Sequence, residues 1–161
     1  MSTMVTMNHK NHNILALFAL TVSASAATPQ MLQAVAFVES TNNPQAIGDS
    51  GLARGMYQMH KPAWEQVSAS RKSAGLPVYD WSYAHDKVIS VAYAKAYLEW
   101  LEAGLRKRLG REPQPWEVYA SYNRGLQGFA KLDYDFGNLP KHTQRACLKV
   151  AQSTQSSTPK R

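Results

Sequence analysis

The 161-residue chain has a single cysteine, Cys147, so no intrachain disulfide can form and no Cys/His metal cluster is available. No apolar run is long enough to cross a bilayer as a helix, which takes ~20 residues. Runs of alternating apolar and polar residues are missing too, which excludes a substantial sheet, and no segment repeats. Acidic residues are scarce, 11 against 18 lysines and arginines, for a formal net charge of +7. An excess of that sign suits a polyanionic partner: nucleic acid, anionic lipid or an acidic wall polymer.

What is present is the composition of an ordinary globular protein, 44% hydrophobic and 18% charged. The length suffices for one domain with its own core and hardly for two. The first 26 residues read as a secretory signal. Lys10 with His9 and His12 forms a weakly positive start, Ile14 to Val22 an apolar centre, and Ala24-Ser25-Ala26 a cleavage site of small residues. All the acids follow Ala26, so the processed chain keeps its positive excess. Residues 27–152 are expected to form the domain and residues 153–161 a polar, disordered tail. No membrane segment remains after processing, and a monomer is expected. Export, and the lack of any nucleic-acid motif, argue against a nucleic-acid partner.

The domain reads as all-α, or α-dominated. Thr28 is a good N-cap and Pro29 a good first helical residue. Met31, Leu32, Val35 and Val38 follow at helical spacing, until Ser40 to Pro44 interrupts. Pro44 to Met59, with Gly48, Gly51 and Gly55, reads as an ordered loop or small irregular hairpin. Helices are expected over Pro62–Ser70, Asp86–Leu109 with Gly110 as its stop, Pro115–Tyr122, and onward from Pro140.

One residue is out of place. Leu32, Val35 and Glu39 share a helix face, and it is the apolar one. A carboxyl there pairs with a cation, sits at the rim, or is desolvated, which raises its pKa. A glutamic acid protonated near neutral pH is what cleavage of a glycosidic bond requires, because the leaving oxygen must receive a proton. A glutamate near a helix end that points into water fits the spacing equally well. The next residues favour chemistry. Ser40, Asn43-Pro44, and the run from Gly48 to Met59 make a glycine-rich wall that a ligand can approach closely. Gln58 offers a donor and an acceptor to sugar groups, and Tyr57 and Trp64 offer faces for stacking.

The segment ESTNNPQAIGDSGLARGMYQM resembles the first motif of the lysozyme-like superfamily, as found in soluble lytic transglycosylases, and its GDSGLARGMYQM part is similar to the goose-type lysozymes. Ala120-Ser121-Tyr122-Asn123-Arg124-Gly125 resembles the second motif, Ala-Tyr-Asn-x-Gly, with Ser121 inserted. The resemblance covers roughly residues 29 to 150. It implies a lysozyme-like fold and peptidoglycan glycan strands as substrate, with Glu39 as catalytic acid. Ser40, Gly55, Tyr57, Gln58, Tyr122 and Asn123 would line the substrate cleft. No metal or cofactor is implied. Tyr57 stands where the family usually has Met. The last helix lacks the Tyr that often faces the acid there, so tuning of Glu39 is expected from Tyr122, Tyr134 or exclusion of solvent.

By this resemblance the reaction is a lytic transglycosylation giving 1,6-anhydro-muramyl products. Two alternatives stay open. Asp49, ten residues after Glu39, matches a goose-type aspartate that helps position water in a hydrolase, although Gly-Asp-Ser-Gly is also strong turn chemistry. A catalytically silent peptidoglycan-binding protein is the other. His60, His85 and His142 read as surface or capping residues. Arg106, Lys107, Arg108 and Arg111 suit a helix C-terminus or contact with anionic wall material. Trp64 is balanced between core and sugar platform, and Cys147 reads as a buried small hydrophobe.

Overall fold

In the computed structural model, residues 27–155 are described, so the expected leader and the end of the expected tail lie outside the described residues. The described residues form five helices and one small sheet: α1 (Pro29–Ser40), β1 (Ile47–Gly48), β2 (Ala53–Arg54), β3 (Met59–His60), α2 (Lys61–Ser73), α3 (Lys87–Leu109), α4 (Pro115–Ala130) and α5 (Lys141–Gln155). Short 3₁₀ turns lie at Asp49–Gly51 and Trp81–His85. The α-dominated architecture expected from the sequence is thus what the chain adopts. The last helix runs through Gln155, three residues into the expected tail. None of these helices is long and apolar enough to cross a membrane.

Local chemistry sets the ends of α1. The Thr28 hydroxyl accepts from the Met31 amide at 3.1 Å, and Pro29 occupies the first turn. Met31, Leu32, Ala34, Val35 and Ala36 are buried. The helix stops at Thr41, a left-handed residue whose amide returns to carbonyls of the last turn. This fixes Glu39 in the final turn, one residue before the chain leaves the helix.

The glycine-rich stretch is a three-stranded antiparallel meander rather than a single hairpin. Gly48 faces Ala53, and Ala53 in turn faces His60. Its position depends on Gly55, whose φ is +75° and where a Cβ would lie 1.8 Å from the Ala84 carbonyl oxygen. The sheet is thereby pressed onto the 3₁₀ turn that precedes α3.

Helix α3 is capped by the Asp86 carboxylate, which accepts from the amides of Val88 and Ile89, and ends at left-handed Gly110. Its basic end is largely engaged within the protein. Arg106 bonds Glu102 and Glu112, and Arg111 holds the buried Glu117 through two bonds of 2.7 and 2.8 Å. These pairs lock the turn into α4. Helix α4 runs past the expected end at Tyr122 and carries a break at Gly125, where φ is 70° and ψ 158°. Helix α5 lies against α1 and α4, with Cys147 and Val150 buried between them. Trp64 belongs to the core: it is 1% exposed, stacks on Tyr93 at 3.7 Å and donates to the Tyr79 carbonyl.

Candidate active site

A polar cavity of 460 Å³ lies between the end of α1, the small sheet and the middle of α4. Glu39, Asp49, Gln58, His60, Tyr122, Asn123, Arg124 and His142 line it, so residues scattered over more than a hundred positions meet in one cleft.

Glu39 is mostly buried, with one face open to the cavity. Burial pushes its pKa from 4.5 up to about 7, because a carboxylate loses solvation there. Two neighbours act against each other. The Tyr119 hydroxyl donates to Glu39 Oε1 at 2.9 Å and favours the ionised form, while the negative charge of Asp49 disfavours it. Desolvation is the larger effect. Tyr119 is the partner that the sequence reading missed in favour of Tyr122 and Tyr134. Tyr122 instead donates to the Tyr57 carbonyl at 2.6 Å, and Tyr134 packs edge-on against Phe129. Tyr119 sits three residues before Tyr122 on α4, so helical spacing put both on one face. Their rings stack at 6.4 Å.

The sheet supplies the opposite wall. Both Asp49 and Gln58 have left-handed backbones, with φ of 47° and 45°. Such strain in non-glycine residues persists only where the surroundings impose it. Gln58 donates both amide hydrogens, to the carbonyls of Ala46 (3.2 Å) and Gly55 (2.8 Å). Its Oε1 is left as an acceptor beside Gly48, where a Cβ would come within 2.2 Å of it. Asp49 is 2.8 Å from His60 Nε2. On α4, the Asn123 Oδ1 accepts from the Thr143 hydroxyl at 3.0 Å, which turns its NH₂ group to the cleft as a donor.

Of the residues expected to line the cleft, Glu39, Asp49, Gln58, Tyr122 and Asn123 come together. Three do not. The Ser40 hydroxyl bonds the carbonyl of Met56 at 2.8 Å and accepts from the Asn43 amide, tying the helix end to the loop. Gly55 backs onto Ala84 rather than onto a ligand. Tyr57 is 3% exposed and faces an apolar groove behind α1, so no sugar can stack on it. His60, Arg124 and His142 also reach the cavity; the two histidines are exposed, as surface or capping residues are, and His60 precedes the first turn of α2. Only the tertiary fold brings them there.

A family model described as the transglycosylase SLT domain matches residues 17–142, most of the chain, including every cavity-lining residue. The chain belongs to the transglycosylase SLT family. No curated protein and no solved structure matches it. Membership gives a peptidoglycan-directed, lytic-transglycosylase-type activity at the level of the family. It agrees with a cleft whose one desolvated carboxyl faces a wall of hydrogen-bonding groups. Among the described residues no cluster of histidine, cysteine or carboxylate side chains is arranged to hold a metal ion.

Proposed function

We propose that this SLT protein cleaves the β-1,4 bond between N-acetylmuramic acid and N-acetylglucosamine by transglycosylation, with Glu39 as its acid and then its base. The observation that carries the reading is a mostly buried carboxyl that lines the polar cleft, where loss of solvation pushes its pKa up to about 7. Protonated Glu39 gives its proton to the glycosidic oxygen as the C1–O bond breaks. The oxygen of the muramyl 2-acetamido group bonds C1 from the other face, so no second carboxylate is needed as nucleophile. Ionised Glu39 then takes the proton of the muramyl C6 hydroxyl, and O6 displaces the acetamido oxygen at C1. The products are a 1,6-anhydro-muramyl end and a free glucosamine 4-hydroxyl, and Glu39 is again protonated.

The supporting residues fit these steps. Tyr119 stabilises the ionised carboxylate between the two proton transfers, and Asp49 favours its reprotonation. Gln58 and Asn123 line the same cleft as an acceptor and a donor for sugar amides. Such an enzyme works outside the cytoplasmic membrane, in the periplasm or beyond the cell, which agrees with the signal-like leader.

One observation favours a second reading. Asp49 opens onto the same cavity as Glu39 and carries His60 as its partner, an arrangement able to hold a water for hydrolysis. Digestion of purified peptidoglycan in ¹⁸O-labelled water separates the two. Ring closure leaves the muramyl ends unlabelled and anhydro, whereas label at reducing muramyl ends assigns the protein to the hydrolases.

A further inference from the structure

Beside the acid-bearing cavity lies a second, smaller one of 260 Å³. The two share Gln58, His60, Tyr122, Asn123 and Arg124 as a common ridge, but Glu39 and Asp49 do not reach the second. Its character differs. Met59, Pro62, Ala63 and Tyr97 give it an apolar floor.

Arg124 stands where the two cavities meet, at the break in α4 caused by the left-handed Gly125. Among the described residues no carboxylate pairs with its guanidinium, whereas Arg106 and Arg111 are both held by glutamates. An exposed guanidinium at the mouth of a pocket with an apolar floor is suited to a carboxylate attached to a short apolar chain. The muramyl sugar carries such a group on its lactyl ether: a peptide stem with aliphatic side chains and free carboxylates.

We infer that the pocket between α2 and the break in α4 receives the peptide stem of the muramyl residue bound beside Glu39, with Arg124 pairing a stem carboxylate. This assignment rests on the proposed peptidoglycan substrate and adds to it a preference for glycan that still bears its peptides. Arg124 thereby becomes a specificity residue, outside the proton transfers. The lactyl carboxylate of peptide-free glycan presents the same charge at a shorter reach and without the apolar chain.

Calorimetric titration of the full chain tests this, with Glu39→Gln in the background so that the ligand is not consumed. Three soluble ligands serve: a muropeptide oligomer with its stems, the same oligomer freed of peptide by an amidase, and a chitin oligosaccharide without lactyl groups. The stem-bearing oligomer is expected to bind most tightly. Arg124→Gln is expected to weaken it about tenfold, the scale of one charge-assisted bond, with Arg124→Lys recovering part. The other two ligands should change by less than about twofold. Ala63→Phe, which fills the floor without altering charge, should weaken the same ligand selectively. An equal loss for the peptide-free oligomer would assign Arg124 to the lactyl carboxylate, and an equal loss for the chitin oligosaccharide would make the pocket a sugar subsite. Either result, or no loss, overturns the stem assignment. Failure of the wild-type chain to cleave peptidoglycan would count against the proposed function alone, since binding is read without turnover.

Discussion

At the residue scale, burial, a phenol and a second carboxylate divide control of Glu39. With its pKa at about 7, the acid is protonated below neutrality and lost above it, so kcat/KM should fall on the alkaline side with a limb near 7. The two neighbours should move that limb in opposite directions. Tyr119→Phe removes a bond to the ionised form and should shift it to higher pH. Asp49→Asn removes a like charge and should shift it lower. A pH–rate profile of the three proteins on soluble glycan checks both signs. The same pKa shift bears on stability. Between 4.5 and about 7 the folded chain holds a proton that the unfolded chain has released, so stability falls as pH rises through that window. The loss is on the order of 3 kcal/mol by pH 8. Glu39→Gln, which cannot ionise, should therefore be more stable than the wild type at pH 8 and nearly equal to it at pH 4, as read by urea unfolding. Much of this site was legible beforehand. Glu39 stood out as a carboxyl on an apolar face, and Gln58, Tyr122 and Asn123 through the motifs. Tyr119 was within reach by helical spacing from Tyr122. Arg124 stood inside the second motif with no role of its own, and His60 and His142 were not legible as site residues, because nothing local marks a side chain that reaches the cavity only across the fold.

At the scale of elements, the small sheet decides whether a cleft exists. Its strands are two residues long, too short for the alternation by which strands are recognised, so the sequence showed a glycine-rich loop and concealed a three-stranded meander. The helices whose ends carry chemical signals were legible: Thr28-Pro29 opens α1, Asp86 caps α3 and Gly110 ends it. Helix α4 was under-read, since Gly125 and Gly128 look like terminators while the chain turns once and continues to Ala130. That break places Asn123 and Arg124 at the cavities. Gly55 tests the sheet's docking. A methyl there would both occupy a left-handed residue and collide with the Ala84 carbonyl oxygen at 1.8 Å. Gly55→Ala is expected to destabilise the protein by about 3 kcal/mol, seen as a lower urea midpoint. Unchanged stability would show that the sheet is not held through this contact.

At the scale of the whole molecule, the parts answer to one another. Helix α1 presents the acid, the sheet supplies a strained wall of acceptors, α4 brings Tyr119 and the donors, and α5 closes the cleft through Thr143 and His142. A positive chain with an exposed guanidinium at the cleft suits an anionic wall polymer. The central claim is that one carboxyl performs both proton transfers, and it is tested most directly by mass spectrometry of the soluble products released from purified peptidoglycan sacculi. Wild-type protein should release 1,6-anhydro-muropeptides, and Glu39→Gln, folded and at equal concentration, should release none above a blank. Anhydro products from the Glu39→Gln protein would contradict the claim, because the proton would then come from another group.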